Sequence, residues 1–180
     1  GFGELQNVKY ELLSVESLVN SSLLVDEDFT SASLSQQLSR SNRPIIHLAT
    51  HGQFSSSADD TFILAWDRPI LVNELSSILR TGDLNRPDPI ELLILSACET
   101  ASGDKRAALG LAGVALQSGT RSTLASLWNL NDESGAAFVT QFYKAFAQPN
   151  ITKAKALQQA QLSLLQDRNY RHPTYWSAYV

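Results

Sequence analysis

The sequence predicts an α/β fold, a three-layer αβα sandwich with a mostly parallel central sheet. Three observations carry this. Two runs, Ile45-Ile46-His47-Leu48-Ala49-Thr50 and Leu92-Leu93-Ile94-Leu95-Ser96-Ala97, are almost continuously apolar and only six residues long. Such runs suit strands buried on both faces better than surface helices. Segments with apolar residues at three- and four-residue spacing alternate with them, which is the pattern of a layered α/β domain. Both runs also stop abruptly at chemically versatile residues, His51-Gly52 after the first and Cys98-Glu99 after the second.

The elements follow in order. From Glu4 to Val19, Leu5, Val8, Leu12, Val15, Leu18 and Val19 recur at helical spacing and predict an amphipathic helix. Leu23-Leu24-Val25 is a short strand candidate, followed by the solvated Asp26-Glu27-Asp28. Thr30 or Ser31 caps a helix reaching about Ser39, with Leu34 and Leu38 inward. Pro44 opens the first long strand. The Ser- and Asp-rich stretch from Gln53 to Asp60 reads as a loop, Phe62–Trp66 and Ile70–Val72 as short strands, and Asn73 as the cap of a helix through Leu79. Thr81–Pro89 and Thr100–Arg106 read as loops on either side of the Cys98 strand. Ala107–Ser118 is an Ala/Leu/Gly helix whose Gly110 and Gly113 permit close packing, ended by Gly119. Ser122–Trp128 is a further strand. Asp132 caps a long helix to about Ala147, Pro149-Asn150 breaks it, and Lys153–Leu165 is another helix. The aromatic tail from His172 to Val180 ends close to a final strand.

Composition narrows the function. A chain of 180 residues with 43% hydrophobic and 18% charged residues suits one soluble domain with a substantial core. A net charge of −4 argues against nucleic acid as a partner. No run approaches the length of a membrane span, and no signal peptide is evident. A single cysteine forms no internal disulfide, which fits the cytoplasm. It is also too few thiolates for a zinc finger or an iron–sulfur cluster, so no metal or cofactor is expected. The chain lacks methionine and starts at Gly1, as a domain excised from a longer protein would.

His51 and Cys98 each close a buried strand. If those strands are parallel neighbours, both side chains emerge at one sheet edge, although 47 positions separate them. A thiol beside an imidazole is the minimal cysteine-nucleophile arrangement. The N–H groups of Gly52 and Cys98 would form the oxyanion hole. The plainer readings stand beside this one. A lone thiol often packs as a small hydrophobe, His51-Gly52 is a common turn pair, and a metal site of His51, Cys98 and a carboxylate is short of ligands. His47 reads as a satisfied core or supporting histidine, and His172 as a turn residue.

At these two motifs the sequence resembles the CHAT domains, a branch of the caspase–separase group of cysteine peptidases (clan CD). The matching residues are Ile46-His47-Leu48-Ala49-Thr50-His51-Gly52 and Leu93-Ile94-Leu95-Ser96-Ala97-Cys98-Glu99-Thr100-Ala101. Gly110-Leu111-Ala112, Gly119-Thr120-Arg121, Leu127-Trp128-Asn129-Leu130-Asn131-Asp132 and His172-Pro173-Thr174-Tyr175-Trp176 fit as well. The resemblance implies a caspase-like fold, with His51 as general acid/base and Cys98 as nucleophile. It also implies that Trp128, Asn129 and Asp132 border the pocket for the residue before the cut bond. Against that, Trp128 reads equally as core and Asp132 as a helix cap. Glu99 would meet a basic substrate residue, or is simply solvated. The partners implied are a protein or peptide substrate and tetratricopeptide-type repeats N-terminal in the same chain, as in related bacterial and cyanobacterial proteins. A cysteine endopeptidase, weakly active without its neighbours, is the first reading. A catalytically silent signalling or assembly module of the same fold is the second. A flavodoxin-like ligand binder calls for a Gly-rich phosphate loop that the sequence lacks.

Overall fold

The computed structural model of the protein describes residues 3, 5–55, 57–84, 89–96, 99–100, 118–128 and 130–180; the side chains of 81–84 and 99–100 are outside that description. In chain order the elements are α1 (Val8–Leu18), α2 (Ser31–Arg40), β1 (Ile45–Ala49), β2 (Gly52–Phe54), β3 (Phe62–Leu64), β4 (Pro69–Leu71), α3 (Val72–Leu84), β5 (Leu92–Ser96), β6 (Glu99–Thr100), β7 (Thr123–Ala125), α4 (Asp132–Phe146) and α5 (Lys153–Gln166).

Strands β1, β5 and β7 form a parallel sheet in that spatial order. Because strand side chains alternate, its two faces are covered by different helices. Ile46, Leu48, Leu93 and Leu95 pack with Leu34 and Leu38 of α2 and Leu75 and Leu79 of α3. Leu92, Ile94 and Leu124 pack with Val15 of α1, Phe138, Val139 and Phe142 of α4, and Ala156 and Ala160 of α5. The molecule is therefore the αβα sandwich that the alternating pattern predicts, with a caspase-like arrangement. A second, mixed sheet runs β4-β3-β2-β6, parallel only between β2 and β6.

Several elements differ from the sequence reading, each for a physical reason. Leu23–Val25 forms no strand. The preceding carbonyls are taken by side chains instead, Ser22 O by Gln37 Nε2 at 3.2 Å and Asn20 O by Arg43 Nη1. The expected loop from Gln53 holds β2, whose alternation of buried Gly52 and Phe54 around Gln53 is too short to register as a period. Helix α3 starts at Val72, so Asn73 lies inside it, and it runs on to Leu84. The cap of α4 is Asn131, whose Oδ1 accepts from Ser134 N at 3.1 Å, and not Asp132. Asp132 serves α1 instead. Its Oδ2 accepts from Asn7 N at 2.7 Å and Asn7 Nδ2 at 3.0 Å. A carboxylate there complements the positive end of a helix. Helix α1 accordingly begins at Val8 rather than Glu4.

The helix expected over Ala107–Ser118 lies outside the described residues apart from Ser118. Gly119, placed to end it, has φ 71°, the left-handed conformation that favours glycine. The tail pairs antiparallel with the free edge of β7. Ala125 and Val180 exchange N–H···O bonds of 3.1 and 3.0 Å, and Leu127 N donates to Ala178 O at 3.0 Å. Tyr179 stacks on Phe138 with ring centroids 3.6 Å apart. The tail thus covers an otherwise open sheet edge.

Candidate functional site

The site is set by how two strands cross from one sheet to the other. In the parallel sheet β1 and β5 are in register to their last residues, Ala49 opposite Ser96. Beyond the crossing the same two chain segments pair again as β2 and β6, Gln53 opposite Glu99 and Phe54 opposite Thr100. The offset between partners is 47 positions before the crossing and 46 after it. Three residues, Thr50, His51 and Gly52, therefore span the crossing on one segment, and two, Ala97 and Cys98, on the other. Ala97 and Cys98 lie outside the described residues; Ser96 and Glu99, which flank them, are parallel neighbours of Ala49 and Gln53, which flank Thr50, His51 and Gly52.

The backbone around His51 is held from β3. Leu64 N donates to the His51 carbonyl at 2.7 Å, and the Thr50 hydroxyl donates to the Leu64 carbonyl at 2.6 Å. Thr50 N also reaches Ser96 O at 3.4 Å, carrying the β1–β5 ladder one step past the strand. The His51 ring makes a 2.6 Å contact through Nε2 with the carbonyl of Gly3. A carbonyl only accepts, so Nε2 is the protonated nitrogen, and in the neutral ring Nδ1 carries the lone pair. Gly52 is buried, and a Cβ there would sit 3.2 Å from the Phe62 carbonyl and 3.1 Å from the Phe54 ring. The close approach of β3 thus favours glycine here, a packing reason independent of any oxyanion.

A cavity of about 390 Å³ opens beside His51, within the size range of ligand pockets. Leu12, Leu24, Val25, Leu64 and Ala65 give it apolar walls, Gly3 and Gln6 close one side, and Trp66, 65% exposed, stands at its rim. Trp128 lies elsewhere, its indole Nε1 donating to Thr174 O at 3.2 Å. Asp132 is engaged by Asn7, as above. Glu99 is placed by its backbone in β6, opposite Gln53. Asn129 lies outside the described residues. Of the residues singled out from sequence, the strand registers thus bring the neighbourhoods of His51, Gly52, Cys98 and Glu99 together, whereas Trp128 and Asp132 are fastened to other elements.

The model of the CHAT domain family matches residues 1–180. The chain belongs to the CHAT domain family. The family is related to caspase-like peptidases, which agrees with the sandwich and with strand ends that converge on one edge. No curated protein matches the chain. Among the described residues of this CHAT domain, no helix is long and apolar enough to cross a membrane, and no cluster of three or more candidate ligands is placed to hold a metal ion.

One group the sequence reading missed lies just beneath the strand ends. Glu11 of α1 is 2% exposed. Its Oε1 stands 2.8 Å from His47 Nε2, and its Oε2 accepts from the Ser96 hydroxyl at 3.2 Å. The His47 contact is close but poorly aligned for a hydrogen bond, and His47 Nδ1 has no hydrogen-bond partner among the described residues. The Tyr143 ring of α4 stacks on His47 at 5.7 Å and 10°. Burial first, and then the neighbouring Glu11, hold the Tyr143 phenol well above its usual ionisation range. The signal was present in the sequence. Val8, Glu11, Val15 and Leu18 share one helical stripe, and a lone carboxylate on an inward stripe demands a partner.

Proposed function

We propose that this CHAT domain is a cysteine endopeptidase that cuts peptide bonds in protein substrates through His51 and Cys98. The supporting observation is the pair of registers on either side of the crossing. Cys98 is bonded to Glu99, the partner of Gln53, and follows Ser96, the partner of Ala49, by two residues. Neighbouring strands run about 5 Å apart. On this reading the His51 imidazole and the Cys98 thiol meet at the crossing.

The chemistry follows from those groups. Cys98 gives its proton to Nδ1 of His51, and the thiolate adds to the carbonyl carbon of the scissile peptide. The carbonyl electrons move to oxygen, where N–H groups of Gly52 and Cys98 are the proposed donors. On collapse the C–N bond breaks, His51 returns the proton to the departing amine, and a thioester remains. Water then adds to the thioester carbonyl, losing its proton to His51, and the Cys98 thiolate is expelled. Glu99, Trp128 and Asn129 are the proposed lining of the pocket before the cut bond, which on this reading is distinct from the cavity beside His51 that Trp128 does not line. Asp132, its carboxylate already given to Asn7, acts there only through α1.

The Gly3 carbonyl on the His51 ring supports regulation from the N-terminal side, where we place the preceding helical repeats. The same contact favours a second reading, a silent module whose histidine serves the fold. A tryptic peptide library incubated with the protein and analysed by mass spectrometry separates the two. New N-termini that vanish in both Cys98→Ala and His51→Ala establish the peptidase. Cuts that persist in Cys98→Ala, or an absence of cuts with residues 1–7 deleted as well as present, favour the silent module.

A further inference from the structure

The buried carboxylate of Glu11 touches both strands whose ends bear the proposed dyad. Ser96, which it bonds, precedes Cys98 by two residues and sits opposite Ala49 at the last register of the parallel sheet. His47, which it pairs with, precedes His51 by four residues on the neighbouring strand. The geometry points to Glu11 as a positioning residue for the reaction: one carboxylate from α1 clamps β1 and β5 together where His51 and Cys98 leave them. The inference rests on the dyad reading above.

Three features argue against Glu11 as a mere accident of packing. A buried carboxylate set against an imidazole is poor at stabilising a fold, since apolar side chains of similar size generally do as well or better. Here the cost is compounded, because His47 Nδ1 is buried without a partner among the described residues. A core that kept only what stabilises it would carry leucines at both positions. The opposite face of the same strands does this, with Ile46, Leu48, Leu93 and Leu95. Second, the groups facing the pair are those that hold it still. The ring of Tyr143 covers His47, the Ser96 hydroxyl takes the second carboxylate oxygen, and α1 is itself anchored to α4 through Asn7 and Asp132. Third, α1 descends from the segment whose Gly3 carbonyl meets His51. The N-terminal part of the chain therefore reaches the strand ends at two points, and a displacement of α1 would move both.

The test uses the protein's only thiol. Alkylation of Cys98 by iodoacetamide is followed at pH 6 in the natural protein, His51→Ala, Glu11→Gln, Glu11→Leu and the double variant Glu11→Leu/His47→Leu, with the thermal midpoint of each measured alongside. Glutamine keeps an oxygen for the Ser96 hydroxyl and an amide for His47, so Glu11→Gln labels within about threefold of the natural rate, whereas Glu11→Leu labels roughly tenfold or more slowly, the scale of loss expected when reacting groups shift by an ångström. The double variant removes the carboxylate together with the imidazole. It regains the natural thermal midpoint and stays slow to label. That separation of stability from reactivity is what a purely structural pair would not give. A double variant that labels at the natural rate overturns the assignment, as does Glu11→Gln falling as far as Glu11→Leu. If the natural rate depends on His51 but on none of the Glu11 variants, the positioning role alone fails. If it does not depend on His51, the dyad fails and the positioning role with it.

Discussion

The two faces of the parallel sheet use the same strands for different ends. Toward α2 and α3, β1 and β5 present Ile46, Leu48, Leu93 and Leu95, sealed by leucines. Toward α1 and α4 they present Ile45, His47, Ala49, Leu92, Ile94 and Ser96, and the helices answer with Glu11 as well as with Val15 and Phe138. The first face is a core in the ordinary sense, whose contribution scales with the apolar area removed from water. The second spends part of its buried area on polar contacts. Ser96 ends β5 and His47 sits two residues short of the end of β1, on the side of the sheet where open α/β folds place their chemistry. Stability and site geometry are thus assigned to opposite sides of one sheet.

That division is broken or sharpened by substitutions on each side. The largest effect is expected on the apolar face. Leu79 is fully buried, and Leu79→Ala should cost about 2–5 kcal/mol in denaturant unfolding. A loss below about 1 kcal/mol would mean that this face is loosely packed and the contrast misdrawn. Next comes the alkaline limb of stability. The pKa of the Tyr143 phenol is held above the ordinary, unfolded-chain value of 10.0 by burial first and then by Glu11. The stability it contributes is present below that unfolded value and is lost as pH rises beyond it, because only the unfolded chain then ionises. Tyr143→Phe should flatten the fall in stability between about pH 10 and 12. An unchanged limb would place the phenol in water.

Smaller still is Asp132→Ala, which removes the carboxylate at the start of α1 and should cost about 1 kcal/mol, the scale of a helix cap. It should slow Cys98 alkylation no more than its effect on α1 requires. A large loss of peptide cleavage with unchanged stability would return Asp132 to the substrate pocket. The smallest effect belongs to the surface. Arg121 Nη1 lies 2.6 Å from Glu91 Oε1, with the arginine exposed and the glutamate half-buried and also paired with Lys153, and Arg121→Ala should change stability by no more than about 0.5 kcal/mol.

The layered fold was legible in the sequence because its signals are long. The runs at Ile45 and Leu92 and the helical spacings over 132–147 and 153–165 each survive without knowledge of what they pack against. What was not legible was short or settled across the fold. β2 is three residues, and β6 is two. Leu23–Val25 has strand composition but pairs with no strand among the described residues, and the nearby Gln37 and Arg43 side chains satisfy the backbone before it. Asp132 has the composition of a cap and is one, but for α1, 125 positions away. Of the site, His51 and Gly52 were visible as a strand terminus, and the one-residue difference in register that brackets them against Cys98 was not. Glu11 was hidden by reading its helix as a list of apolar residues instead of asking which residue on the inward stripe was out of place.

The most direct test of the dyad is the pH dependence of Cys98 alkylation in the natural protein and in His51→Ala. A free thiol has a pKa of about 8.5, so well under 1% of it is thiolate at about pH 6. A thiol paired with His51 should label at pH 6 at a rate roughly tenfold or more above that expectation, and His51→Ala should restore the profile of a free or buried thiol. Labelling that climbs only above about pH 8, in the natural protein and the variant alike, would contradict the account.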